Sequence, residues 1–139
     1  MPKTPDAPTG EVQGKADTEK SLRLVELKLN QIGYDASRVI GPSQSDATVD
    51  LIQGRGPYDA ILIDGDHTYE GVKADWLRYQ GMGRIIAFHD IVGTGQREKP
   101  TGREVEVPIL WQEIKAQGFH TVEYVGPGSK MGIGVVFQN

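Results

Sequence analysis

Two apolar runs in this chain of 139 residues end in ionisable side chains: Ala60-Ile61-Leu62-Ile63 runs into Asp64-Gly65-Asp66-His67, and Ile85-Ile86-Ala87-Phe88 into His89-Asp90. Carboxylate oxygens joined by an imidazole are suitable ligands for a hard or borderline divalent cation. In open α/β sheets, ligands collect outside the carboxyl ends of the strands. If the two runs are neighbouring strands, Asp64, His89 and Asp90 therefore converge on one cleft and can share an ion. Taken singly, a strand-terminal Asp is more often a helix cap and a His after an apolar strand more often a packed, hydrogen-bonded residue. Two such clusters at one sheet edge are what bring a site into view.

The elements that must position these residues follow from periodicity. Leu22, Val25, Leu29 and Ile32 recur at helical spacing with Gly33 as a stop, predicting an amphipathic helix over 21–32. Arg38 to Pro42 reads as a brief strand, and Ser45 or Asp46 caps a short helix that Gly54 ends. Tyr58 to Asp64 is continuous rather than alternating in its apolar part, as expected of a strand covered on both faces. Tyr69, Val72, Trp76 and Tyr79 mark one face of a further helix, with Glu70, Lys73, Asp75 and Arg78 expected on its solvated side. Arg84 to Asp90 is the next strand. A long polar stretch, 91–106, precedes a helix with Pro108 in its first turn and Val107, Leu110, Trp111 and Ile114 on its apolar face. His120 to Gly126 and Gly132 to Asn139 then form an antiparallel hairpin. Alternation of strand and helix makes the chain α/β with a mostly parallel sheet of five strands. Trp76, Trp111 and His120 are expected to be structural.

Composition narrows the function. Fifteen Lys and Arg against nineteen Asp and Glu give a net charge of -4 with scattered basic residues, which argues against nucleic acid as a partner. The absence of cysteine excludes disulfides and thiolate chemistry and leaves oxygen and imidazole as the metal ligands. No apolar run approaches the roughly 20 residues of a membrane span, and residues 1–20 lack the apolar centre of a signal peptide. A cytoplasmic protein without membrane association is therefore expected. Residues 1–20, rich in Pro, Gly, Thr and charge, are expected to be a flexible segment ahead of an α/β domain over 21–139. Neither a dinucleotide fingerprint nor a phosphate loop is present in the sequence.

Residues 41–76, followed by Gly83 to Ile91 and Val107 to Phe119, resemble the C-terminal portion of class I S-adenosylmethionine-dependent methyltransferases. The nearest resemblance is to the bacterial group of sugar O-methyltransferases and cephalosporin-hydroxylase-like proteins. The stretch from Ile63 to Asp75 and the pair His89-Asp90 carry this likeness, which covers about 21–139. It implies a Rossmann-like methyltransferase sheet that lacks the family's first two strands, including the glycine-rich turn that cradles the cofactor. The chain is thus expected to be a truncated domain whose uncovered strand edges seek partners, as a homo-oligomer or a rearranged sheet. The resemblance further implies that Asp64, His89 and Asp90 hold a magnesium ion and that His67 is the catalytic base. Ser43 and Gln44 would lie on a loop touching adenine, with Asp64 also on the cofactor side. The acceptor would be a small molecule bearing a hydroxyl, such as a sugar.

Two other function classes fit the same residues. A scaffold that kept the fold and lost the chemistry would be a non-catalytic binding or assembly module. Asp64-Gly65-Asp66 is also a DxD behind an apolar strand, the pattern with which metal-dependent glycosyltransferases hold a nucleotide-sugar diphosphate.

Overall fold

The computed structural model describes residues 10–93 and 102–139, with side chains from residue 18 onward. Its contacts divide the chain into two units, Met1–Gly41 and Pro42–Asn139.

The first unit is built on α1, Gly10–Gln31, which begins well before the Ser21 expected from its apolar spacing. Gly33 adopts φ +97°, a conformation that ends the helix at little cost only for glycine. Asn30 then fastens the chain that leaves, its Nδ2 donating to the Ala36 carbonyl at 2.9 Å and its Oδ1 accepting the Ala36 N–H at 2.8 Å. Arg38 pairs with Glu26 at 3.5 Å. Residues 34–40 form no strand, contrary to expectation for Arg38 to Pro42. A strand exists only as part of a ladder, and the segment pairs with no strand among the described residues.

The second unit opens with α2, Asp46–Arg55, capped as expected by Ser45, whose Oγ accepts the Thr48 N–H. There follow β1 (Tyr58–Ile63), α3 (Tyr69–Tyr79), β2 (Gly83–His89), α4 (Val107–Ala116), β3 (His120–Tyr124) and β4 (Ile133–Phe137). Among the described residues the sheet has four strands in the order β1-β2-β4-β3. Among these, β1–β2 is the one parallel pairing, whereas β4 pairs antiparallel with both β2 and β3, so that β1, β2 and β3 share a direction. The α/β class and the C-terminal hairpin are as expected; the sheet is mixed rather than mostly parallel, because β4 returns beside β2 instead of extending a crossover series.

Register places Ile61 beside Ile86, Ile63 beside Phe88, and Val136 and Gly134 beside Ile86 and Phe88. These positions share one face, where Val72 and Trp76 of α3 and Leu110, Trp111 and Ile114 of α4 complete the core. The opposite face carries Leu62, 61 % exposed, with Ile133, Phe137 and Tyr124 also exposed. β1 is therefore not covered on both faces, since its packed helices share a single side. Trp76 and Trp111 are core residues as expected, and Phe88 lies between them with ring centroids 5.7 and 6.0 Å away. The part of the long polar stretch over 94–101 lies outside the described residues.

Gly134 shows how closely α4 is seated. A Cβ added there would stand 2.6 Å from the Trp111 ring. That ring is pinned in turn, its Nε1 donating to Glu123 Oε1 at 2.6 Å, an oxygen that Lys115 also approaches at 2.7 Å. The Lys115 hydrogen bond, followed by the Trp111 N–H, holds the Glu123 carboxyl below its ordinary range. Gly134→Ala should therefore destabilise the protein by about 1–3 kcal/mol, the usual cost of overpacking a filled core. Chemical denaturation of the variant measures it, and an unchanged midpoint would show that α4 can shift freely.

Candidate functional site

Parallel pairing of Ile63 with Phe88 sets the two strand ends side by side, so Asp64 and His89 emerge together at the same edge. One ligand atom each from Asp64, His89 and Asp90 all lie within 4.8 Å of one another. His89 Nδ1 is 3.4 Å from Asp64 Oδ1 and 3.2 Å from Asp90 Oδ2. His67 faces the same two oxygens, its Nε2 3.3 Å from each. The two nitrogens and two oxygens thus alternate around a closed ring with sides between 3.2 and 3.4 Å. Adjacent ligands on a cation with bond lengths of about 2.1 Å stand roughly 3.0 Å apart. The donor set and its spacing therefore suit a divalent ion with little movement.

Asp90 reaches the ring by an unusual backbone. Its φ is +62°, the left-handed region that side chains with a Cβ normally avoid and that Asp and Asn tolerate best. Directly after the extended β2, this turn aims the carboxylate back toward the strand ends. Asp90 is only 9 % exposed, whereas Asp64 is open to solvent. The ring is thus buried on one side and accessible on the other.

The loop that carries His67 is fixed from several directions. Asp66 Oδ1 accepts the Thr68 N–H at 2.9 Å and the Thr68 hydroxyl at 2.8 Å, while Thr68 Oγ1 caps α3 by accepting the Gly71 N–H at 3.1 Å. Gly71 has to be glycine here, because a Cβ would lie 2.2 Å from Asp66 Cγ. Glu106 adds a distant contact, its N–H donating to the His67 carbonyl at 2.8 Å and its Oε2 accepting the Tyr69 N–H at 2.6 Å.

Ser43 and Gln44 lie on the turn before α2 and are both tied to α3. Ser43 Oγ donates to Asp75 Oδ1 at 2.8 Å, Gln44 Nε2 donates to the Gly71 carbonyl at 3.2 Å, and Tyr79 donates to the Ser43 carbonyl at 2.6 Å. The structure does not bring these two residues into the ring of Asp64, His67, His89 and Asp90. Asp75 is 3 % exposed, not part of a solvated helix face. It falls on the same stripe as Val72, Trp76 and Tyr79, so its spacing from those apolar residues was the available signal. Lys73 and Arg78 do remain on the partly open side, paired with Glu113 and Asp46. Glu106 had no local signal, since its contacts are more than thirty residues away in sequence.

Comparison of the chain with protein-family models, curated proteins and solved structures finds no match. Among the described residues no helix is long and apolar enough to cross a membrane.

Asp75 also gives the site a pH signature. Burial raises its carboxyl above the ordinary 3.8; the Ser43 hydrogen bond opposes this, the Asp66 charge adds to it and Arg78 opposes it. The folded state consequently holds the Asp75 proton more tightly than the unfolded chain does. Stability from this group is greatest below the ordinary value and falls as pH rises through the raised one. Asp75→Asn keeps an acceptor for Ser43 but cannot ionise, so wild type should lose stability relative to the variant as pH rises above the ordinary carboxylate value. Denaturant midpoints on either side of that value provide the comparison, and parallel profiles for the two proteins would contradict the assignment.

Proposed function

We propose that the second unit belongs to an S-adenosylmethionine-dependent, divalent-metal-assisted O-methyltransferase domain. The observation that carries this reading is the convergence of Asp64, His89 and Asp90 within 4.8 Å at the ends of two parallel strands. Support also comes from the sequence resemblance and from its C-terminal antiparallel hairpin, present as β3 and β4.

In this reading Asp64, His89 and Asp90 hold the cation, such as magnesium. S-adenosylmethionine supplies the methyl group, and the cation supplies Lewis acidity that lowers the pKa of an acceptor hydroxyl. The side chains supply proton handling and orientation. His67 Nε2 lies at the ring where that hydroxyl would arrive, placing it to take the proton as general base. Asp64 and Asp90 face the His67 Nε2 at 3.3 Å and would keep the imidazole turned toward the acceptor. Ser43 has committed its one donor to Asp75, so the Ser43-Gln44 turn would meet adenine through its backbone, the Ser43 oxygen or the rest of the Gln44 amide. The open side at Asp64 is where a small acceptor such as a sugar would enter.

The competing readings have less support. Asp66, the second acid of the DxD pattern, is engaged with Thr68 and packed against Gly71, away from the role of a shared cation ligand. A scaffold without chemistry would need neither His67 nor the left-handed Asp90 at the ring. Self-association belongs to the proposal as well. Among the described residues β1 pairs only with β2 and β3 only with β4, and an unpaired strand edge is a template for another copy of the chain.

Calorimetric titration with Mn2+ tests the centre. Asp90→Asn preserves the tolerance for a left-handed backbone while removing the charge. It should weaken Mn2+ binding by more than about 10-fold, since even an outer partner of a metal ligand is commonly worth that much. His67→Ala should leave Mn2+ affinity within a few-fold and slow methyl transfer to sugar or catechol acceptors by about 10²–10⁴. Absence of heat with both Mn2+ and millimolar S-adenosylmethionine would refute the reading and leave the scaffold. Sedimentation equilibrium should show a dimer or larger assembly, and a monomer at every concentration would remove the self-association.

A further inference from the structure

Glu106 occupies the N-cap position of α4, yet its side chain makes no capping bond to that helix. It serves α3 instead. The first N–H groups of a helix lack partners inside it, and a carboxylate set against them gains both a hydrogen bond and a favourable position on the helix dipole. Glu106 Oε2 takes the N–H of Tyr69, the first residue of α3, at 2.6 Å, within the short range of charge-assisted bonds. The N–H of the same residue donates to the His67 carbonyl at 2.8 Å. One residue thus grips the backbone immediately after His67 and the amide two residues on, with only Thr68 between them. Thr68 is held by Asp66 and caps the helix itself, so the backbone that aims His67 has little remaining freedom.

We propose that Glu106 is a positioning residue for His67: its two-point grip on the 67–69 backbone keeps the imidazole Nε2 equidistant from Asp64 and Asp90. The inference rests on the metal-assisted reading for its purpose, though the grip can be tested with no metal present. Its physical content is that His67 is oriented by α4, an element that contributes nothing to the ring directly. Side chains that orient a metal-site residue typically matter about 10–100-fold in affinity or activity, and for a base that is not itself a ligand the effect falls on activity.

The test uses the full chain in four variants. Glu106→Ala removes the carboxylate, Glu106→Asp draws it back by one methylene, and Glu106→Gln keeps an acceptor oxygen at the original reach. Glu113→Ala is the control, because Glu113 accepts from the Tyr69 hydroxyl on the same helix without touching the His67 backbone. Without metal, the NMR signals of the His67 imidazole should move toward those of a mobile histidine in Glu106→Ala and Glu106→Asp. They should stay near wild type in Glu106→Gln and Glu113→Ala. Mn2+ affinity should stay within a few-fold of wild type in all four, as for His67→Ala, while methyl transfer falls about 10-fold or more in the first two and much less in the others. Unchanged His67 signals in Glu106→Ala, or in Glu106→Asp should the alanine variant fail to fold, would overturn the proposal and reduce Glu106 to a cap for α3. Wild-type protein that binds no Mn2+ would instead defeat the metal reading, leaving the metal-free spectra to decide the role of Glu106.

Discussion

The parallel register of β1 on β2 is the constraint from which the rest of the site follows. Ile63 stands opposite Phe88, and both turn into the core beneath α3 and α4. The next residue on β1 is Asp64 and the next on β2 is His89, so burial of two apolar side chains determines where these two polar side chains emerge. A slip of one strand by one residue would turn Ile63 or Phe88 away from the helices and separate Asp64 from His89 at once. Core packing and site geometry are therefore a single condition at this point in the chain.

Helix α3 joins the remaining parts. Its N-terminus receives Thr68 from its own loop and Glu106 from α4, while its middle receives Ser43 and Gln44 from the turn before α2. The acid at Asp75 lies on the buried stripe because it anchors Ser43, and its proximity to Asp66 and burial explain why its proton is held tightly. Gly71 lets Asp66 press against the helix where any side chain would collide. The twelve residues from Asp64 to Asp75 thus combine two members of the ring, the cap of α3 and the anchor of Ser43.

Much of this could be read from residue order. Apolar runs ending in charge located both strands of the site, helical spacing located α3 and α4, and Ser45 located the start of α2. Four features escaped for physical reasons. The segment from Arg38 has the composition of a strand, but a strand also requires a neighbour, which composition does not contain. Continuous apolar character in β1 suggested two covered faces, whereas both packed helices lie on one. Asp75 was assigned to solvent by its charge, although its spacing put it with Val72 and Trp76. Glu106 acts on residues far away in sequence, and only the folded chain brings them together. The convergence of Asp64, His89 and Asp90 was legible because both apolar runs end in charge at one sheet edge; the contacts of Glu106 were not.

Asp90 has a consequence for how such a chain can change over generations. Its left-handed backbone restricts the residues that fit to aspartate, asparagine and glycine, with others strained. Asparagine and glycine are each a single-nucleotide step from aspartate, and both remove the negative charge while leaving the turn intact. Mutational drift at this codon would thus tend to discharge one corner of the ring without unfolding the sheet. The architecture could outlast that charge as an heirloom.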